Sequence, residues 1–306
     1  MLTMLSTKGM TREDWLRHRR LGIGGSDAAA IVGLNKYSTP LAVWMDKTGR
    51  AEEQEETEAM RLGHDLEDYV AKRFTEATGK AVRKKNAIIR NTEYTWAHAN
   101  IDREIVGEKA VLECKTTSKL TMRKFPDGEY PPTYYVQCVH YLAVTGAEKA
   151  YLAVLVLQDG LRVFEIRRNE DEIKALMDAE RTFWRYVEEG KEPPAVADDI
   201  EALDEAHPAS DGTQVDLFGR AADMERYIEL KGEIKALEYE KDQIEALIKQ
   251  ELGDHERGAD GEYAATWKSQ TRSSFDRKAF QAARPDIDLK PWMRETTARV
   301  FTVKHI

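Results

Sequence analysis

The chain has 306 residues, of which 42% are hydrophobic and 33% charged, with a formal net charge of −9. This is the make-up of a folded protein with room for one large domain and an appendage. No apolar run is long enough to span a bilayer, and the N-terminus lacks a signal-peptide core, so a cytoplasmic protein with no membrane partner is expected. Two cysteines, Cys114 and Cys138, have no metal-type spacing, which argues against a disulfide framework or a zinc site and for two small hydrophobes.

In chain order, Thr11 with Asp14 reads as the cap of a helix over 12–20. Gly24-Gly25 relaxes the backbone before Ser26, which is expected to cap a short helix over 27–32 that ends at Gly33. With Arg20 beside it, that helix N-terminus reads as an anion site. Thr39-Pro40 opens a helix closed near Gly49, and the acidic run from Glu52 to Glu58 reads as a mobile loop. Apolar residues at 62, 66, 69, 70 and 74 have helical spacing, Gly79 fits a C-terminal cap, and Glu67 flanks the buried stripe. Strands are expected over 81–90, 94–99, 101–106, 110–116, 149–157 and 161–168. A helix begins at Pro132 and stops at Gly146, and another runs from Asn169 to Glu189 before Gly190.

These elements predict an α/β domain over 1–190, a central mixed sheet with flanking helices. Residues 191–217, with Pro193, Pro194, Pro208 and many acids, read as an acidic linker. Beyond it, Tyr227, Leu230, Ile234, Leu237, Ile244 and Ile248 follow alternating three- and four-residue steps, with Lys241 interrupting. That spacing predicts a coiled-coil or hairpin-packing helix. Strands over 263–268 and 299–304 and a helix over 276–283 would complete a small α+β appendage over 218–306.

The chemistry concentrates at Ala99-Asn100-Ile101-Asp102 and Leu112-Glu113-Cys114-Lys115. Two carboxylates joined by a short hairpin, with a lysine two residues beyond the second, offer hard oxygen ligands for Mg²⁺ and a cation beside an attacked phosphate. Side chains alternate along a strand, so Glu113 and Lys115 share one face, expected to be wet, while Leu112, Cys114 and Thr116 face the core. Gln137 lies in an apolar run, where an amide needs a polar partner.

The ordered set Arg20-Leu-Gly-Ile-Gly-Gly-Ser26-Asp, Gly63-x-x-Leu-Glu67, Asp102, Glu113-Cys-Lys115 and Gln137 resembles the YqaJ-like viral recombinase family, over roughly residues 12–190. That family belongs to the lambda-exonuclease branch of the PD-(D/E)XK nucleases. The resemblance implies a restriction-endonuclease-like sheet and a Mg²⁺-dependent enzyme, with Mn²⁺ able to substitute. Such an enzyme digests linear duplex DNA from its 5′ ends and leaves a 3′ single strand for phage-type recombination in a bacterial or phage-infected cell. Asp102, Glu113, the Cys114 backbone carbonyl and Glu67 would be the metal shell. Lys115 would orient and polarise the attacking water, and Gln137 would anchor Lys115 or that water. Arg20 and Ser26, with Asn100 in place of a serine, would bind the 5′-phosphate, and Arg19 is the adjacent alternative to Arg20. The implied partners are double-stranded DNA ends, a single-strand annealing protein and further copies of the chain, in a trimeric ring.

The net acidity belongs to the chain beyond residue 170; before it, acids and bases nearly balance. Arg17 to Arg20, Arg83 to Lys85, Lys119, Arg123 and Lys124 can line a groove for a phosphate backbone or sit on solvated loops. A restriction-like endonuclease on the same core is the alternative enzyme, though no element for reading base edges is evident. A catalytically silent DNA-end-binding or scaffold protein is the alternative of another class.

Overall fold

The computed structural model describes residues 1–51, 57–125, 128–293 and 299–305. Most of the acidic run from Glu52 to Glu58 therefore lies outside the described residues. At the centre, β6 (Ala110–Ser118) and β7 (Lys149–Leu157) pair in parallel. Around them stand β2 (Val82–Lys84), β5 (Arg103–Ile105) and β8 (Gly160–Arg167), in the order β2-β5-β6-β7-β8, with every other pairing antiparallel. From Ala150 to Val156, β7 is buried on both sides and nearly all apolar, as a central strand between two helical layers requires.

One layer is α4 (Glu58–Thr78), whose Val70, Ala71 and Phe74 pack with Leu112, Tyr151, Ala153 and Leu155. The other is α6 (Pro132–Thr145), backed by α7 (Glu170–Glu189), with Val139, Leu142, Ile173 and Met177 packing in one cluster with Val111, Leu152 and Val154. Local signals set the ends of these helices. The Thr57 hydroxyl accepts from Met60 N–H, the Asn169 amide oxygen accepts from Asp171 and Glu172 N–H, and Gly79, Gly146 and Gly190 take the left-handed conformation after the last turns. Because α6 lies over it, the Glu113 face of β6 is not the wet face expected: Glu113 is 2% exposed.

The expected strands over 81–90 and 94–99 are corrected. The first divides into β2 and β3 (Ala87–Asn91), which belong to different sheets, and the second shrinks to β4 (His98–Ala99) after a turn closed by Ala97 N–H to Tyr94 C=O. β3 is central in a three-stranded sheet between β4 and the unanticipated β1 (Leu2–Ser6). Against β4 runs the glycine-rich segment after α1 (Arg12–Arg20): Ile23 N–H donates to Trp96 C=O at 2.7 Å, and His98 N–H donates to Ile23 C=O at 2.9 Å. A Cβ at Gly22 would lie 2.8 Å from the Trp96 carbonyl oxygen, so this close approach requires glycine. The short helix α2 spans Gly25–Ile31 and its N-cap is Gly24, not Ser26, because the Asp27 carboxylate takes the Gly24 N–H.

The chain divides into compact units Met1–Ala206 and His207–Ile306, not at Gly190. Within the expected linker, a 3-10 turn (Ala197–Asp199) leads into α8 (Ile200–Ala206); Asp199 is buried and Leu203 packs against the main core. The second unit holds the long α9 (Ala221–Leu252), a hairpin of β9 (Arg257–Ala259) and β10 (Ala264–Thr266), and α10 (Arg277–Ala283). The expected strand over 299–304 is absent among the described residues. Leu230, Ile234, Leu237, Ile244 and Ile248 stand exposed along α9, while the Tyr227 ring meets Phe301.

Candidate active site

Asp102 sits in the bend between β4 and β5, and the Cys114 N–H donates to its Oδ2 at 2.7 Å. That bond brings the aspartate beside Glu113, on the central strand. Lys115, two residues further on the same face, places Nζ 2.6 Å from Glu113 Oε1 and 5.5 Å from the Tyr134 ring. Gln137 Nε2 donates to Glu113 Oε1 at 2.7 Å and to Tyr141 Oη at 2.9 Å, so the amide expected in the apolar run anchors the carboxylate and not Lys115.

The electrostatics of this cluster are those of crowded acid. Burial, then Glu113 and Glu67, hold the Asp102 carboxyl well above the usual carboxylate range. Burial also raises Glu113, against the opposing pull of Lys115. Burial opposes the Lys115 charge too, yet Glu113 and Asp102 outweigh it and raise the ammonium above its ordinary value. Lys115 is therefore held in its charged form. Glu67 is drawn away: Arg103 Nη1 donates to its Oε1 at 2.6 Å, and Lys84 lies 3.6 Å from it. No three acidic, histidine or cysteine side chains among the described residues are gathered closely enough to enclose an ion. Asp102 and Glu113 nevertheless fit a hard divalent cation: Glu113 Oε2 is buried without a hydrogen-bond partner among the described residues, and the repulsion between the acids is what such a cation offsets.

Beside this cluster is a cavity of about 40 Å³ lined by Trp15, Arg19, Gly24, Gly25, Ser26, His98, Asn100 and Tyr141. Arg19, not Arg20, enters it, donating to the Ser26 hydroxyl and, at 3.3 Å, to Asp27 Oδ1. Arg20, expected with Ser26 at a 5′-phosphate, turns to Asp46 at 3.1 Å, so the alternative Arg19 is the arginine beside Ser26. Asp27 is committed to Lys47 at 2.7 Å as well as to Arg19; these cations outweigh burial and hold its carboxyl below the usual range. The cavity and the acid cluster share one hydrogen-bonded chain. Glu113 accepts from Gln137, Gln137 also donates to Tyr141 Oη, and Tyr141 donates to the Asn100 carbonyl at 3.0 Å. A Cβ at Gly25 would lie 2.6 Å from the Tyr141 ring and 2.9 Å from Gln137 Cγ, so this glycine lets α2 close on that chain.

Trp15, His98 and Tyr141 were not expected in the site. The available signal for His98 is a lone histidine in the apolar stretch Trp96 to Ile101; Tyr141 is one helical turn from Gln137. Of the basic clusters, Arg83 and Lys85 are paired with Glu104, Lys119 with Asp159 and Arg17 with Asp14. Both cysteines are free thiols, Cys138 buried and Cys114 half-buried. No helix of the described residues is long and apolar enough to cross a membrane.

The model of the YqaJ-like viral recombinase domain matches residues 14–148. The uncharacterized protein YqaJ of Bacillus subtilis (strain 168) is 41% identical over 307 residues, 97% of this chain and 95% of the relative. The crystal structure of LHK-Exo, an alkaline exonuclease from Laribacter hongkongensis, has a TM-score of 0.50 at 18% identity and covers 64% of this chain and 100% of that one. Its complex with dAMP has a TM-score of 0.50 at 19% identity, covering 63% and 96%. The likeness is one of fold: the central mixed sheet with flanking helices is the architecture of these exonucleases.

Proposed function

The chain belongs to the YqaJ-like viral recombinase family, and on that premise we propose that it is a metal-dependent deoxyribonuclease. It degrades one strand of linear duplex DNA from the 5′ end and leaves a 3′ single strand for recombination. The observation that carries this reading is the convergence of Asp102, Glu113 and Lys115, with the Gln137–Tyr141 chain leading to a cavity that holds a guanidinium. Asp102, Glu113 and the Cys114 carbonyl would hold Mg²⁺ or Mn²⁺, with Glu67 reaching it on release from Arg103. Such an ion supplies Lewis-acid polarisation of the phosphate and a more acidic water.

Lys115 sets its fixed positive charge where negative charge grows on the attacked phosphate. Gln137 holds Glu113 in place, and its second N–H fixes Tyr141. Arg19, Ser26 and Asn100 bind the terminal 5′-phosphate, which seats the scissile bond at the acid cluster. A homo-oligomeric ring and an annealing protein that receives the 3′ strand complete the proposal.

Purified protein with Mg²⁺ is expected to digest linear duplex and to spare a closed circle. Cutting of the circle at discrete positions favours the endonuclease alternative, and inert linear DNA favours the silent end-binding protein. A preference for 5′-phosphorylated over 5′-hydroxyl ends is expected to fall at least tenfold in Arg19→Ala, roughly the loss of a charge-assisted hydrogen bond. Arg20→Ala should keep it. The reverse pattern would return the phosphate to Arg20.

A further inference from the structure

We propose that His98 is a further specificity residue of the small cavity, donating a hydrogen bond from Nε2 to a terminal 5′-phosphate. The proposal rests on the 5′-phosphate reading given above. Its position is over-determined by the backbone: His98 N–H donates to Ile23 C=O at 2.9 Å, and its own carbonyl faces His140 Nε2 at 2.9 Å. The residue is 1% exposed, yet it lines the cavity with Arg19, Ser26 and Asn100.

The ring's orientation follows from its glycine neighbours. A Cβ at Gly22, which is not part of the cavity wall, would lie 3.0 Å from Nδ1; a Cβ at Gly24, which is part of it, would lie 3.3 Å from Nε2. Nε2 is thus the nitrogen on the cavity side. Nδ1 is buried with no hydrogen-bond partner among the described residues. A proton there would leave an orphaned buried N–H, which folded proteins avoid more strictly than an under-used acceptor. The proton therefore belongs on Nε2, where it points toward the cavity.

The ring donates without carrying charge. Burial and then Lys47, with smaller contributions from His140 and Arg19, push its pKa down to about 3 against the opposing pull of Asp27. It complements Arg19, which brings the positive charge, while Asp27 is occupied by Lys47 at 2.7 Å and by the Gly24 N–H at 2.9 Å. The cavity, of about 40 Å³, admits water-sized groups such as the oxygens of a phosphomonoester. A 5′-hydroxyl end offers no such oxygens, so the donor at His98 favours the phosphorylated end alone.

The test uses the full chain in EDTA, so that nothing is cleaved, and blunt duplexes bearing a 5′-phosphate or a 5′-hydroxyl. Affinities are measured by anisotropy for wild type, H98Q, H98N and H98L, with circular dichroism melting as the check on folding. The glutamine amide nitrogen reaches the place of Nε2, the asparagine amide that of Nδ1, and leucine has no donor. Wild type and H98Q are expected to prefer the phosphate; in H98N and H98L the preference falls about tenfold, the loss of one hydrogen bond to a charged group. The hydroxyl duplex is the reference against which each variant's preference is taken. If wild type itself shows no preference, the 5′-phosphate reading fails and this proposal with it. Where wild type prefers the phosphate but H98N or H98L keeps that preference, or H98Q loses as much as H98N, His98 alone is excluded. H98N retains a polar side chain in the polar cavity and carries the test should H98L fail to fold.

Discussion

Asp102 is a liability to the fold: it is buried and faces Glu113 and Glu67, against the nearby Lys115 charge and the Cys114 N–H. Its folded-state pKa is raised above the ordinary 3.8, so the native chain holds a proton that the unfolded chain has already released. Stability of the metal-free protein therefore falls as pH rises from about 4 toward that raised value, and stays low above it. Asp102→Asn keeps an oxygen for the Cys114 N–H and removes the charge. It is expected to raise the metal-free melting temperature at pH 7, about 2–4 °C for each kcal/mol regained in a domain of this size. Cleavage should fall at least about a hundredfold. A melting temperature unchanged or lower in the variant would show that the acid crowding costs the fold nothing. At this scale the sequence was readable where spacing along one strand decides, as for Glu113 and Lys115. It was not readable at Arg19 and Arg20, because neighbours on a helix point about 100° apart and only partners distant in the fold, Ser26 and Asp27 for one and Asp46 for the other, select which enters the cavity.

Elements bounded by local chemistry, such as α4, α6 and α7, could be anticipated from their caps and terminal glycines. Sheet membership could not: alternation along 82–91 is a local property, but the division into β2 and β3 depends on partners distant in sequence, Arg103 to Ile105 for one and the N-terminal Leu2 to Ser6 for the other. The same holds for the buried tie between helices. His140, on α6, meets Glu180 Oε1, on α7, at 2.7 Å, and its Nε2 lies 2.9 Å from the His98 carbonyl, which can only accept. Burial opposes the imidazolium, but Glu180 prevails and His140 is raised above its ordinary 6.5. A histidine raised in the folded state adds stability that is complete below its unfolded value and is lost as pH rises through the folded one. Glu180→Gln should cost about 3 kcal/mol below pH 6.5, the cost of breaking a buried pair, and should flatten the decline of melting temperature above it. An unaltered slope in the variant would assign that decline to other groups.

At the scale of the whole chain, the excess of acid lies beyond residue 170, but composition misplaces where the first compact unit ends. Prolines and acids around Pro193 and Pro194 have the signature of a linker, while the residues that dock are few and scattered among them. Asp199 is buried and its Oδ2 accepts the Val196 N–H at 2.6 Å, closing the turn from which α8 sets Leu203 against the core. Fully burying one leucine is worth about 1.5–3 kcal/mol, so the partly buried Leu203 contributes a fraction of that to a domain's small net stability. None of the Asp102, Glu113, Lys115, Gln137 and cavity residues lies beyond Tyr141. A chain ending at Ala206 is therefore expected to melt cooperatively and to keep metal-dependent cleavage of linear DNA. One ending at Gly190 loses the Leu203 contact and should melt several degrees lower while still cleaving in the cold. Should the 1–206 chain fold yet leave linear DNA intact, α9 and the small hairpin beyond it take part in the reaction, and the nuclease is the whole chain.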